Sequence, residues 1–235
     1  MFNKRVQVDS LRLSGTPEVV VKLRRSARAK RLSLRVSRLD GRVTLTLPTR
    51  ARVKEAERFA NEKADWIRAQ LGTQVEQIRP APGSWVWFRG QRLEIAEGTG
   101  RSARLVGGRL EVSEERAGVK VATFLKHAAR ADLLEASEGY AHDLGVDIGK
   151  ITLRDTRSRW GSCSYEGNLM YSWRLVMAPP DVLRYVAAHE VAHRVEMNHS
   201  QAFWDQVARI YPDYAAPRKW LRDEGQELHR FRFKD

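Results

Sequence analysis

The most restrictive feature of the sequence is a pair of histidines four residues apart in an otherwise apolar segment. Residues 186–193 read VAAHEVAH, so His189 and His193 lie one turn apart if this segment is an α-helix. Two prolines precede the segment and Asp181 is a suitable N-cap, which predicts a helix from about residue 181 through His193. Polar side chains on a buried helix cost free energy without partners. The pair therefore requires hydrogen bonds within the core or a bound metal ion.

Glu190 follows the first histidine and is rotated from it by about 100° around the helix axis. In the HExxH pattern this position leaves the carboxylate beside a metal-activated water and not on the metal. Zinc lowers the pKa of such a water from about 15.7 towards 7, and a nearby carboxylate can accept the proton during attack on a carbonyl. Glu190 is therefore predicted to be the general base.

A catalytic zinc site has three protein ligands and one open position, so a third ligand is needed. His199 is the preferred candidate. It lies ten residues after His189, too far along a straight helix, so the helix must end between His193 and His199. Ser200 is a suitable N-cap for the next helix. Glu196 is the alternative ligand, because it would share the face of His193 if the helix continued.

The other histidines and the single cysteine are not predicted to bind the metal: His127 and His142 are predicted to be surface or packing residues, and His229 either contacts a substrate or, as we expect, has no functional contact. His127 and His142 fall in a predicted helix without ligand spacing, and His229 lies near the C-terminus. Cys163 lies in a predicted loop, where packing is a simpler role than metal binding. A lone cysteine cannot form an internal disulfide, and the N-terminal residues lack the apolar core of a secretory signal. We therefore expect a cytoplasmic protein.

A second group of residues lies upstream of the histidine pair. Trp160 to Cys163 are predicted to form a tight loop that leads into a strand over residues 168–177. In zinc peptidases, a strand beside the active-site helix can pair with an extended substrate. Arg157, Arg159 and Arg174 either stabilise developing negative charge or form salt bridges.

The remaining patterns predict an α+β protein. Alternating residues predict two strands over 32–36 and 43–47 with a hairpin turn at Leu39-Asp40-Gly41, followed by a helix over residues 52–71. Four short runs between residues 85 and 112 predict a small antiparallel β segment. Helices are predicted over 119–144 with Gly145 as C-cap, after Ser200, and over 217–229. These elements suggest a basic, β-rich N-terminal region with one helix (1–117) and a catalytic domain (118–235).

Positive charge is concentrated in the first part of the chain. The net charge is +13, and residues 1–70 contain 18 Lys or Arg against 7 Asp or Glu, a balance of +11. The alternation around residues 32–47 places these charges on one face of a sheet. Such a field attracts phosphate backbones, anionic lipid or acidic proteins, and DNA is the partner we consider first. A solvated basic face without a fixed partner is the alternative.

The motifs together resemble the YgjP-like metallopeptidase family, predicted metal-dependent hydrolases similar to SprT-like and WLM zinc proteases. The resemblance is carried by the segments RWGSC (159–163), WRLVMAP (173–179), HEVAH (189–193) and EMNHSQAFW (196–204), and it is weakest over residues 72–117. It implies a minimal zincin-type metallopeptidase core with an N-terminal basic β-β-α unit. It also implies that His189, His193 and His199 bind one zinc ion and that Glu190 is the catalytic base.

These expectations define three functions. The first is a zinc metallopeptidase that acts on protein or peptide substrates, including proteins associated with nucleic acid. The second is a metal-dependent hydrolase of nucleotide phosphates, with UTP suggested by the resemblance, although the chain has no phosphate-binding glycine loop. The third is a DNA-binding protein with a non-catalytic zinc site. Three histidine ligands leave a coordination position open, which favours catalysis.

Overall fold

The structure, a computed structural model, describes residues 9–37, 41–72 and 76–234. The chain divides into two units, Met1–Glu76 and Gln77–Asp235. In the first unit the strands are β1 (Ser10–Leu13), β2 (Val19–Ser26), β3 (Ser33–Val36) and β4 (Val43–Pro48), and the helices are α1 (Val53–Glu62) and α2 (Ala64–Gly72). The sheet order is β1-β2-β4-β3, with β2 parallel to β4 and the other pairs antiparallel.

Alternation of apolar and polar residues determines which side of this sheet is buried. Strand β4 buries Val43, Leu45 and Leu47 and leaves the residues between them partly exposed. The apolar side packs on Ala60 of α1 and Ile67 of α2 in a core of the first unit. The predicted strands are confirmed, and β3 and β4 are antiparallel as a hairpin requires. The predicted turn residues Leu39 and Asp40 lie outside the described residues.

The helix predicted over residues 52–71 is two helices, because Lys63 leaves helical geometry with a ψ of 9°. A straight helix over about 20 residues would be about 30 Å long, whereas a six-residue strand spans about 20 Å. The bend keeps the buried residues Ala60 and Ile67 over the sheet. The first unit therefore contains four strands and two helices among its described residues, more than the predicted β-β-α arrangement.

The second unit begins with a four-stranded mixed sheet. Its strands are β5 (Trp85–Phe88), β6 (Gln91–Glu97), β7 (Arg104–Val106) and β8 (Arg109–Val112). The order β5-β6-β8-β7 makes β6 and β8 parallel, so the prediction of an entirely antiparallel segment was wrong for this pair. The reason is the tight β7–β8 hairpin at Gly107 and Gly108, both with positive φ, which places β7 at the edge and β8 against β6.

The predicted domain boundary after residue 117 differs from the division at residue 76. Val86, Ile95 and Leu110 from this sheet are buried in the same core as Val121 and Leu125 of the long helix α3 (Ala117–Leu144). Residues 77–117 therefore share a hydrophobic core with the C-terminal part of the chain. Gly145 ends α3 in the left-handed conformation, as predicted.

A three-stranded sheet follows α3. It consists of β9 (Ile151–Arg154), β10 (Gly161–Cys163) and β11 (Leu169–Ser172) in the order β10-β11-β9. The loop predicted at residues 160–163 is thus largely an edge strand. The strand predicted over residues 168–177 ends at Ser172, and Trp173–Met177 form a 3₁₀ helix in which every residue is buried. Tertiary contacts override the alternating pattern here, because the amides of Arg89 and Gly90 donate to the carbonyls of Val176 and Met177.

Three helices complete the second unit: α4 (Pro180–Ala192), α5 (Gln201–Ile210) and α6 (Ala215–Asp223). Pro179 is the N-cap of α4, and the predicted cap Asp181 lies in its first turn. The helix predicted over 217–229 ends at Asp223 and is followed by a 3₁₀ helix, Gly225–His229. No helix in the described ranges is long and apolar enough to cross a membrane.

Arg174 fixes the C-terminal segment to the middle of the second unit. Its guanidinium group is buried and donates to both carboxylate oxygens of Asp155, at 2.6 and 3.2 Å, and to the carbonyls of Leu228 and Phe231, at 2.8 and 3.2 Å. The side chain therefore satisfies a carboxylate and two carbonyls together. Of the two roles considered for this arginine, the salt bridge is the one the structure shows.

Replacing Arg174 with methionine is expected to lower the free energy of unfolding by about 3 kcal/mol, because it leaves these acceptors without a donor. Urea denaturation at neutral pH measures the change. Lys219→Met removes an exposed ion pair with Asp223 and should change stability little. Equal effects of the two substitutions would show that Arg174 does not anchor the segment.

The ion pair between Arg174 and Asp155 should make the free energy of unfolding depend on pH. Burial raises the pKa of Asp155, but the hydrogen bonds and charge of Arg174 outweigh burial and hold the pKa below its usual 3.8. A depressed carboxyl pKa contributes stability that is complete above about pH 4 and is lost as the pH falls through the lower value. The stability difference between the wild type and Arg174→Met should therefore narrow below pH 4.

Candidate metal centre and active site

The end of helix α4 positions the predicted histidines. Helix α4 ends at Ala192, and His193 is its C-cap, with φ of −64° and ψ of −12°. Ser200 is the N-cap of α5, as predicted, so residues 194–199 form a short connection that returns His199 to the end of α4. The prediction that the helix ends before His199 is confirmed.

The three histidines converge. Their candidate ligand atoms all lie within 4.8 Å of one another, and the Nε2 atoms of His189 and His199 are 3.0 Å apart. The ring centroids are separated by 5.1 Å for His189 and His193, 5.0 Å for His189 and His199, and 4.8 Å for His193 and His199. Two nitrogens bound tetrahedrally to zinc at about 2.05 Å are about 3.4 Å apart. The side chains thus need only small shifts to surround one ion.

The rival ligand Glu196 has a different contact. Its backbone carbonyl lies 2.9 Å from His193 Nδ1 and accepts a hydrogen bond from it when that nitrogen carries the proton. This tautomer leaves the lone pair of His193 Nε2 free for a ligand bond, the arrangement common for metal-binding histidines. Among the described residues, the cluster of metal-ligating side chains contains the three histidines and not Glu196.

Burial keeps His189 and His193 neutral. Burial, followed by the neighbouring His193 and His199, lowers the pKa of His189 to about 3. Burial also lowers the pKa of His193, although its hydrogen bond to the Glu196 carbonyl opposes this effect. His189 Nδ1 is buried and has no hydrogen-bond partner in the described part of the chain. A metal ion requires deprotonated imidazole nitrogens, so these properties suit a cation site.

Glu190 is buried against strand β10. Only 6% of its surface is exposed, and burial raises the pKa of its carboxyl group to about 8 although the charge of Arg159 opposes the increase. A Cβ atom on Gly161 would lie 2.6 Å from Glu190 Cγ and 2.7 Å from Cδ, and closer still to Oε1. A side chain at position 161 therefore conflicts with the observed position of the carboxylate. The absence of a Cβ allows the strand to pass this close.

Aromatic residues from α4, α5 and the start of α6 surround the histidines. Phe203 is fully buried and stacks on His193 with ring centroids 4.5 Å apart. Trp204 lies 6.1 Å from His199 and stacks on Tyr214 at 5.4 Å. These residues were not predicted as part of the site. Phe203 and Trp204 follow His199 by four and five residues at the start of α5, and this proximity in the sequence was the available signal.

The other sequence candidates lie apart from this cluster. Cys163 is on β10, and its thiol contacts the Ser164 carbonyl at 3.2 Å. His127 and His142 are on α3 and are not in the histidine cluster. His229 is buried and stacks on Trp160, with ring centroids 5.1 Å apart. Burial, followed by the charge of Arg174, lowers its pKa to about 4.

A family model described as YgjP-like, metallopeptidase domain, matches residues 30–224, which is most of the chain. The chain belongs to the YgjP-like metallopeptidase family. It is therefore a metal-dependent hydrolase, and membership implies a divalent metal ion and a peptide or protein substrate.

A solved structure is similar to part of the chain. The crystal structure of the metallopeptidase zymogen of Pyrococcus abyssi abylysin is similar over 39% of this chain and 95% of that chain, with 19% identity and a TM-score of 0.36. No curated protein sequence matches the chain. The family match, together with the histidine geometry, is thus the basis for assigning roles in this YgjP-like protein.

Gly161→Ala is expected to displace the Glu190 carboxylate and lower the turnover number for hydrolysis by about 10- to 100-fold, part of the 10²- to 10⁴-fold that a general base provides. Metal content should stay at the wild-type value, because Gly161 does not touch the histidines. Turnover, metal analysis and a melting curve test this.

Gly139→Ala is the matched control, because a Cβ there has no neighbour within 4 Å. The control should retain wild-type turnover. An active Gly161→Ala protein would contradict the inferred constraint on Glu190.

Proposed function

We propose that this chain is a zinc metallopeptidase of the minimal zincin type, with His189, His193 and His199 as ligands and Glu190 as general base. The convergence of three imidazoles at the end of a buried helix is the observation that carries the proposal. Imidazole ligands suit zinc, and three of them leave one position open for substrate or water. When bound, the ion lowers the pKa of water and polarises the substrate carbonyl.

Glu190 would transfer the proton during peptide hydrolysis. A carboxylate oxygen accepts a proton as water adds to the carbonyl carbon, and the same group returns it to the amide nitrogen when the C–N bond breaks. The contact with Gly161 holds this carboxylate in one position and restricts its access to solvent. The charge of Arg159 favours the carboxylate form.

Strand β10 is the proposed binding surface for the substrate backbone. It pairs with β11 and lies at the edge of the sheet order β10-β11-β9. An edge strand has free amide and carbonyl groups that an extended peptide can pair with. Because Gly161 of this strand touches Glu190, a peptide added along β10 would place its backbone close to the general base.

Unfolded polypeptides are the substrate class that an edge strand accepts, because their backbone groups are free to pair. Proteins associated with nucleic acid are a candidate group within this class, suggested by the charge of the first unit. Hydrolysis of a nucleotide phosphate is the competing activity, and it would use the same metal site.

His199→Ala is expected to reduce bound zinc from about one ion per chain to a small fraction, because two histidines rarely retain the metal. His199 is exposed in the connection before α5, so its removal should leave the core packing intact. Metal analysis after gel filtration measures the loss.

His127→Ala removes a histidine outside the cluster and should retain the full metal content. Glu196→Gln should retain it as well, because only the backbone carbonyl of Glu196 contacts His193. Loss of zinc from Glu196→Gln with retention in His199→Ala would reverse the ligand assignment.

Glu190→Gln is expected to retain zinc and to cleave unfolded casein about 10²- to 10⁴-fold more slowly than the wild type, because the amide cannot accept the proton. Glu196→Gln is the control, because it makes the same change from carboxylate to amide outside the proposed catalytic position, and it should cleave casein at the wild-type rate. Casein cleavage and nucleotide phosphate release should be assayed on the same zinc-loaded samples. Phosphate release without casein cleavage would overturn the peptidase proposal.

A further inference from the structure

The four-stranded sheet of the first unit has one face covered by its core and one exposed. Apolar residues at the inward positions pack against α1 and α2. The outward positions alternate with them. Eight of the outward residues, four basic and four hydroxyl-bearing, are called the basic sheet face: Arg12, Lys22, Arg24, Arg35, Ser10, Ser33, Thr44 and Thr46; Val20, Ser26 and Pro48 occupy the other outward positions.

Strand register aligns these residues in rows across the sheet. Lys22 of β2 is opposite Thr44 of β4, and Thr44 is opposite Arg35 of β3. In the next row, Arg24 is opposite Thr46. No outward position on β1 to β4, in the ranges given for these strands, carries an acidic side chain. Glu18, in the turn before β2, pairs with Arg12, which leaves Lys22, Arg24 and Arg35 as the main charges of the face.

The spacing of these charges fits a surface of phosphates. Lys22 and Arg24 are two residues apart on one strand, about 7 Å, and Lys22 and Arg35 are two strands apart, about 10 Å. The grooves of a nucleic acid duplex separate its phosphate rows by about 6 to 12 Å. The hydroxyl groups of Thr44 and Thr46, between the charges, are suitable donors to phosphate oxygens.

The connection between β2 and β3 carries further positive charge. Arg28, Lys30 and Arg31 are exposed on this connection, next to the end of β2. Arg25 has a different role, because its guanidinium donates to the carbonyls of Thr49 and Ala51 at 2.8 and 2.9 Å. It holds the segment between β4 and α1 and does not belong to the basic sheet face.

The side-chain types distinguish among anionic partners. Proteins that bind single strands stack bases on aromatic rings, but the basic sheet face has none: Phe59 and Trp66 of this unit lie on the helices. Membrane-surface binding combines basic charge with several apolar side chains that insert into the lipid. On the described strands of this unit, Val20 is the one large apolar side chain that is exposed, which is too little for such an insertion. Backbone contacts to a duplex need neither feature.

We propose that the basic sheet face binds duplex nucleic acid through its phosphodiester backbone, without reading base sequence. The binding is separate from hydrolysis, since it uses only residues of the first unit. Its affinity should fall steeply with salt, because each contacted phosphate releases counterions and contributes about 0.9 to the slope of log affinity against log salt.

The test is fluorescence anisotropy of the full-length protein with a labelled duplex of about 20 base pairs at several salt concentrations. The variant Lys22→Gln/Arg24→Gln/Arg35→Gln should bind about 10- to 100-fold more weakly at about 0.1 M salt, with a slope reduced by up to about 3. Two duplexes of different sequence should respond alike. Melting curves establish that the variants are folded.

The matched control is Lys54→Gln/Arg58→Gln/Lys63→Gln, which removes two exposed charges from α1 and a third at the junction of α1 and α2. It should bind close to the wild-type affinity. Equal weakening of both variants would overturn the proposal, because only net charge would then matter. Tighter binding to a single strand, or to vesicles with anionic lipid, than to the duplex would also overturn it. The Glu190→Gln protein should bind the duplex normally, so a failure of the hydrolysis proposal is recognised separately.

Discussion

The end of helix α4 is the constraint on which the candidate site depends. A helix that continued past His193 would carry the chain away from His189, and His199 could not return to it. The helix ends at Ala192, and the connection of residues 194–199 brings His199 Nε2 to 3.0 Å from His189 Nε2. The His193 ring stabilises this turn through its contact with the Glu196 carbonyl. The same connection therefore orients one candidate ligand and delivers another.

Burial around α4 has opposite consequences for the two kinds of polar side chain. It keeps His189 and His193 neutral, which prepares them for a cation, and it raises the free energy of the Glu190 carboxylate, which needs a cation nearby. Without an ion, burying the imidazoles and the Glu190 carboxylate destabilises the folded protein. A bound divalent ion would offset both desolvation penalties, which is a physical reason for placing these residues on one buried helix.

Local patterns in the sequence predicted most of the site but less of its surroundings. The spacing of His189 and His193, and the Ser200 cap, depend on one helix end, so they could be predicted. The contact of Gly161 with Glu190 joins residues far apart in the chain and depends on the position of β10. The parallel β6–β8 pair and the 3₁₀ helix at Trp173–Met177 likewise depend on tertiary packing, which alternation along a strand does not encode.

A series of contacts connects the C-terminal segment to Glu190. Arg174 holds the carbonyls of Leu228 and Phe231, which fixes the 3₁₀ helix that contains His229. His229 stacks on Trp160, the residue before Gly161. Because Gly161 leaves no space beside Glu190, a shift of Trp160 would be transmitted to the carboxylate. The buried arginine, although it lies outside the histidine cluster, is therefore linked through these contacts to the position of the proposed general base.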